Sequence, residues 1–317
     1  MRVLFTRPLP DSVIARAKTH FDVEIRDDPA PLKLGQMRAA LALYDGILPT
    51  LGDMFTADVF AGATGARCKV LANFGVGYNH IDVAAARAAG IMVTNTPGAV
   101  TDATADIAMM LILMSARRAG EGERLLRAGR WTGWTPTQLL GLHVTGKHVG
   151  IIGMGRIGQA IARRCHFGFG MKVAYYNRSA RELPFPATRA ETPEALAAQV
   201  DFVVTALPGG AETHHLIGQE ILSAMQPHAH LINIARGEVV DEAALIAALQ
   251  SGRIAGAGLD VYEHEPQVPA ALRAMENVTL LPHLGTAALE VREAMGLMAV
   301  DNLVAALAGG VPPNLVN

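Results

Sequence analysis

An arginine, a glutamate and a histidine each stand just past a β-prone stretch in the C-terminal half of this 317-residue chain. Arg236 follows residues 231–234, Glu265 follows 257–259 and His283 follows 278–281. That trio suits the reduction of a 2-keto acid. As hydride reaches the carbonyl carbon, the oxygen gains negative charge and a proton must follow. An imidazolium at position 283 can give that proton near neutral pH. A carboxylate beside it favours the protonated ring and fixes its tautomer. The guanidinium at 236 can clamp the substrate carboxylate and carbonyl through paired hydrogen bonds. Taken singly, each residue has a plainer reading: a satisfied histidine, loop charges at Glu263 and Glu265, a helix-capping arginine. Together, behind a complete dinucleotide motif, they read as chemistry.

That motif is Gly153-Met154-Gly155-Arg156-Ile157-Gly158, preceded by β-prone Val149 to Ile152 and followed by helical spacing at Ile157, Ile161 and Ala162. It fits G-x-G-x-x-G. Gly153 allows the tight turn, Gly155 the close approach of a pyrophosphate, and Gly158 the packing of helix on strand. A helix opening near Arg156 would aim its free N–H groups at the phosphates. The next strand, 172–176, should end in an acid if the cofactor is NAD. Instead come Asn177, Arg178, Ser179, Ala180 and Arg181, with no acid before Glu182. Donors and guanidiniums favour a ribose 2′-phosphate. The expected cofactor is therefore NADPH/NADP+, with NADH a weaker alternative; the plainer reading is a basic solvated turn.

Strands and helices alternate from the N-terminus, which predicts parallel sheets covered on both faces. The first third holds five short strands. The second unit holds six, at 148–152, 172–176, 202–205, 231–234, 257–259 and 278–281. Between them the helix predicted over 101–118 is apolar almost all round, hence buried on every side. Trp131 and Trp134 fall in a Gly/Pro loop, where an indole usually covers a neighbouring surface. Gly75-Val76-Gly77 at a strand end could be a backbone nest for a carboxylate, or a plain turn. Leu51, Gly52, Phe74 and Trp134 are candidate walls of a small pocket. A last helix spans 287–307.

Half the residues are hydrophobic, 18% are charged, and the net charge is −2. That balance offers no field for nucleic acid or an anionic membrane. The apolar run 107–114 is too short to span a bilayer, and a strand starting at Arg2 leaves no room for a signal peptide. Cys68 and Cys165 lack metal or redox spacing, which suits a reducing cytoplasm. No metal site is expected.

Five segments together resemble the D-isomer-specific 2-hydroxyacid dehydrogenases, in particular the glyoxylate/hydroxypyruvate reductase branch. They are residues 73–82, 153–158, 233–241, 260–266 and 282–283, and the likeness covers nearly the whole chain. The resemblance implies Arg236 as substrate-binding arginine, Glu265 as partner of the acid/base His283, and Val76 and Gly77 as carboxylate-binding amides. It puts Thr104, Asp260, His283 and Gly285 near the cofactor, and Met154, Arg156, Ile157, Leu207, Pro208, Ile234 and Ala235 are further expected contacts. The implied fold is α/β, two doubly wound parallel-sheet domains. A Rossmann nucleotide domain (100–286) is inserted into a flavodoxin-like substrate domain (1–99 plus 287–317). The implied assembly is a homodimer through the nucleotide domain, in which Trp134 can reach the partner's active site. The formate-oxidising relatives have Gln where Glu265 stands, which argues against formate. The competing expectation is a nucleotide-sensing, corepressor-like binding protein of the same fold.

Overall fold

The computed structural model describes residues 1–63 and 65–317. It divides into two compact units, residues 1–100 with 286–317 and residues 101–285.

Unit one carries β1 (Arg2–Phe5), β2 (Asp22–Ile25), β3 (Gly46–Leu48), β4 (Val70–Ala72) and β5 (Met92–Thr94) in an all-parallel sheet of order β2-β1-β3-β4-β5. This is the flavodoxin-like order. Strands as short as Gly46-Ile47-Leu48 hold because they are buried on both faces, so apolar runs replace alternation. Helices α1 (Asp11–Lys18), α2 (Leu34–Leu43), α3 (Ala57–Phe60) and α4 (Val83–Ala88) make the crossovers. The chain's last helix, residues 289–307, returns to this unit: Val13 of α1 packs so tightly on it that a Cβ at Gly296 would lie 2.5 Å from the valine.

Unit two opens with α5 (Thr101–Ala116) and α6 (Ala119–Arg127) and then builds one parallel sheet. Its strands are β6 (His148–Ile152), β7 (Lys172–Tyr176), β8 (Ala187–Arg189), β9 (Phe202–Thr205), β10 (His230–Asn233), β11 (Gly256–Leu259) and β12 (Val278–Leu280). Their order is β12-β11-β10-β9-β6-β7-β8. The direction of winding reverses between β6 and β9, and ligands of open α/β sheets bind outside the carboxyl ends of strands at such a switch. Helix α7 (Arg156–Phe169) packs with α5 on one face; α8 (Pro193–Ala197), α9 (Gln219–Ala224) and α10 (Glu242–Gln250) cover the other. A short α11 (Ala270–Ala274) precedes β12, and the helix at 289–307 is α12.

Three expectations need correction. The sheet has seven strands rather than six, because Ala187-Thr188-Arg189 pairs with Val173, Ala174 and Tyr175. Three residues between prolines, with one apolar side chain, carry no strand period. Helix α5 stops at Ala116, since Arg118 takes a left-handed φ of 52°. Nor is α5 buried on every side: Asp102 and Asp106 are exposed and both take hydrogen bonds from Arg164 of α7.

His230, at the start of β10, gives a first prediction. It is 7% exposed, its Nδ1 is 2.7 Å from the Ser115 hydroxyl oxygen, and its ring stacks on Phe202. Burial, helped by His228, lowers its pKa from 6.5 to about 4. The unfolded chain therefore takes up this proton first as pH falls. The contribution is intact above about 6.5 and is lost progressively down to about 4, by roughly 3 kcal/mol at about 1.4 per pH unit. In urea unfolding series, His230→Asn should lose that much less stability across this window than the wild type. Parallel pH dependences would contradict the assignment.

Candidate active site

The chain turns at Gly153 directly after β6, with φ of 102°, and a Cβ there would lie 2.4 Å from the Ala206 carbonyl oxygen beyond β9. At Gly158 a Cβ would lie 2.1 Å from the Gly153 carbonyl oxygen, so α7 descends onto the turn. Any side chain at either position would push the helix off the sheet. At Gly155, by contrast, a Cβ would meet nothing within 4 Å. That open side, facing the start of α7 at Arg156 with no side-chain cap, is the cradle a pyrophosphate fits. Of the other expected contacts, Met154, Ile234 and Ala235 are buried, Ile157 packs on the core below the turn, and Leu207 lies beside Gly153. Pro208 follows it, and its carbonyl accepts from the Thr213 hydroxyl.

Past β7 the loop is tightly organised. The Met154 amide donates to Asn177 Oδ1 at 3.1 Å, and Asn177 Nδ2 donates to the Ser179 carbonyl at 2.9 Å. Asn177 thus ties the glycine turn to the loop. The amide of Arg181 donates to the Tyr175 hydroxyl at 3.0 Å, leaving its side chain exposed. Arg178 pairs with Glu212 at 3.0 Å, both more than four-fifths exposed, a contact worth little in water. A third guanidinium escaped the sequence reading because β8 did: Arg189 donates to the carbonyls of Asn177 and Arg178.

Glu265 and His283 meet at the carboxyl ends of β11 and β12. His283 Nδ1 is 2.8 Å from Glu265 Oε2, and Glu265 Oε1 accepts from the Tyr262 amide at 3.0 Å. Burial pushes the Glu265 carboxyl up, but the bond and charge of His283, the Tyr262 amide and Arg236 outweigh it. The carboxyl ends below its usual range, ionised at neutral pH. Arg236, half-buried beyond β10, is pulled down by desolvation, while Glu265 and Glu238 stabilise its charge. Its Nη1 donates to its neighbour's carbonyl at Ala235, 2.7 Å away.

Two buried residues shape this corner in ways the sequence did not announce. Asn233, 1% exposed, accepts from the Thr205 hydroxyl and the Ala235 amide, and donates to the Arg236 carbonyl. It fixes the loop that presents Arg236. Asp260, expected only as a cofactor neighbour, clamps the histidine. Its carboxylate accepts from the amides of Leu284 and Gly285 at 2.6 and 2.8 Å, and its carbonyl from the His283 amide at 2.9 Å. His283 has φ of 55°, a strained region for a residue with a Cβ. These three bonds bracket that residue and hold its backbone in place. Burial raises the Asp260 carboxyl, and the two amides and the charge of His283 pull against that. Thr104 joins the group through its hydroxyl, which donates to the Gly285 carbonyl at 3.3 Å.

His214, His215 and Glu263 bring three potential metal-ligand atoms within 4.8 Å of one another. The two imidazoles, however, stack 3.9 Å apart at 24°. An ion lies in the plane of each ring it binds, so it cannot serve both rings as placed. His215 Nε2 instead pairs with Glu263 at 2.7 Å.

In unit one, Asn73 Nδ2 donates to the carbonyls of Gly75 and Gly77, and Asn95 Nδ2 to that of Val76. The peptide planes at 75–77 are thereby fixed. Leu51 is 43% exposed; in unit two, Trp134 is 78% exposed.

Residues 109–285 match the family model of the D-isomer specific 2-hydroxyacid dehydrogenase NAD-binding domain. The chain belongs to the D-isomer specific 2-hydroxyacid dehydrogenases. It is 44% identical to a glyoxylate reductase of Thermococcus gammatolerans, over all of this chain and 96% of that one. Among solved structures it is similar to a Thermus thermophilus protein, with 42% identity over the whole of both chains and a TM-score of 0.92. It is also similar to an NADPH-dependent glyoxylate/hydroxypyruvate reductase of Sinorhizobium meliloti, solved with NADP and malonate. That likeness is 38% identity over 99% of this chain and 96% of that one, with a TM-score of 0.88.

Proposed function

We propose that the protein reduces a short 2-keto acid of the glyoxylate or hydroxypyruvate type to the D-2-hydroxy acid, preferring NADPH to NADH. The observation that carries this reading is the His283–Glu265 pair at 2.8 Å, with Arg236 close enough for its charge to lower the Glu265 carboxyl. When bound, a reduced nicotinamide supplies the hydride; Gly153, Gly155, Gly158 and the first amides of α7 would hold its pyrophosphate, with Thr104, Asp260 and Gly285 lining the nicotinamide side.

The residues of the chain do the rest. Glu265 occupies Nδ1 of His283, so Nε2 is the atom that delivers a proton to the substrate oxygen. Arg236 grips the substrate carboxylate and steadies charge on the carbonyl oxygen. In unit one, the amides of Val76 and Gly77, in the stretch braced by Asn73 and Asn95, are the candidate carboxylate nest. The names of the relatives favour glyoxylate and hydroxypyruvate.

NADPH preference rests on Arg178, Arg181, Ser179 and the loop braced by Asn177 and Arg189. Exposed guanidiniums act weakly one by one, so the double substitution Arg178→Ala/Arg181→Ala should lower the NADPH-to-NADH ratio of kcat/KM by about tenfold or more. A panel of 2-keto acids assayed with both cofactors measures substrate and cofactor choice together. An unchanged ratio in the double variant would refute the cofactor assignment.

The active form is a homodimer paired through unit two, on which Leu126, Trp131, Trp134 and Leu140 are exposed apolar residues. Two buried free cysteines suit a reducing cytoplasm. Among the described residues, no helix is long and apolar enough to cross a membrane.

A further inference from the structure

Tyr262 is two residues from anything assigned to the reaction, yet it touches the segments carrying all three reacting side chains. It is 7% exposed. Its hydroxyl donates to the Leu281 carbonyl at 2.9 Å, with the Leu259 carbonyl 3.3 Å away. Leu281 is separated from His283 by Pro282 alone, so this bond pins the chain just before the strained histidine. Its amide donates to Glu265 Oε1 at 3.0 Å, which turns the other carboxylate oxygen toward His283. Its carbonyl group lies against Gly237, the residue after Arg236. A Cβ at 237 would fall 1.8 Å from the Tyr262 carbonyl carbon.

We propose that Tyr262 is a positioning residue that holds Arg236, Glu265 and His283 in one frame. The amide and carbonyl contacts come from the backbone and are open to any residue type. The hydroxyl contact is specific to tyrosine. It fastens the carboxyl end of β12, where His283 sits, to the segment after β11, where Glu265 sits. Asp260 holds His283 from its C-terminal side, through the amides of 284 and 285; Tyr262 holds it from the N-terminal side, through the carbonyl of 281. A histidine restrained on one side only keeps its backbone strain but loses its fixed approach to Glu265. Loose positioning of an acid by a fraction of an ångström is enough to slow proton transfer. Burial and the carboxylates of Asp260 and Glu265 push the hydroxyl far above the ordinary phenol value, so it stays a donor throughout the working pH range.

The test is Tyr262→Phe, which keeps the ring and the backbone contacts and removes one oxygen. The inference rests on the proposed reaction for its kinetic reading but not for its spectroscopic one. In a protein with 15N-labelled histidine, the Nδ1 proton shared by His283 and Glu265 should give a downfield resonance. Its disappearance in His283→Gln assigns it. In Tyr262→Phe we expect that signal to broaden or move upfield, and kcat for keto-acid reduction to fall roughly tenfold with KM within about twofold. A variant whose melting temperature drops while the resonance and kcat stay at wild-type values would show a merely structural tyrosine and overturn the inference. So would a loss expressed only in KM. If the wild type fails to reduce any 2-keto acid, the reaction assignment falls, and the resonance alone decides the role of Tyr262.

Discussion

Replacing His283 by glutamine is expected to lower kcat for glyoxylate or hydroxypyruvate reduction by roughly two to four orders of magnitude, the usual contribution of a positioned general acid. Glutamine can still accept or donate a hydrogen bond toward Glu265, so the loop keeps its anchor while the transferable proton is gone. Because the glycine turn and the loop after β7 are untouched, binding of NADPH measured by fluorescence titration should stay within about threefold of wild type. The two measurements together separate chemistry from binding. A variant turning over at the wild-type rate would remove the histidine from the reaction, whatever the geometry of its pair with Glu265.

The second large effect belongs to Arg236. Its removal to alanine should reduce kcat/KM by about a thousandfold, since two charge-assisted hydrogen bonds to the substrate at about 2 kcal/mol each are lost together. Most of that loss should appear in KM if the arginine grips the carboxylate alone, and in kcat as well if it also stabilises the carbonyl oxygen. Arg236→Lys keeps the charge but not the planar fork, and should recover only part of the activity. It also retains a cation near Glu265, whereas alanine leaves that carboxylate with less to hold it ionised. An alanine variant with unchanged KM and kcat would show that the substrate is held elsewhere.

Much of this architecture was readable beforehand where one residue type has one physical use. Gly153 and Gly158 are forced by close backbone approach, and short apolar runs such as Val70-Leu71-Ala72, alternating with helical stretches, fit buried parallel strands. Arg236, Glu265 and His283 stood out because a guanidinium, a carboxylate and an imidazole past successive parallel strands, behind a dinucleotide motif, serve one reaction together. What escaped notice depends on tertiary partners. Ala187-Thr188-Arg189 becomes a strand only because β7 offers a free edge, and Arg189 joins the loop after β7 with it. Asn233 reads as the end of a strand and Asp260 as a cofactor neighbour, and only the fold shows their side chains binding backbone groups beside Arg236 and His283. The left-handed backbone at His283 could not be anticipated, because few residues with a Cβ adopt it and no local sequence pattern marks which will. Asn177 was read for what it could offer a ligand, whereas the amide of Met154 already uses its oxygen.

The most direct test of the account follows a labelled hydrogen. Given hydroxypyruvate and NADPH or NADH carrying deuterium at the transferable position of nicotinamide C4, the protein should release D-glycerate with that deuterium on C2, while the hydroxyl proton exchanges with water. Glycerate without deuterium on C2, or of the L configuration, would contradict the reaction assigned to Arg236, Glu265 and His283.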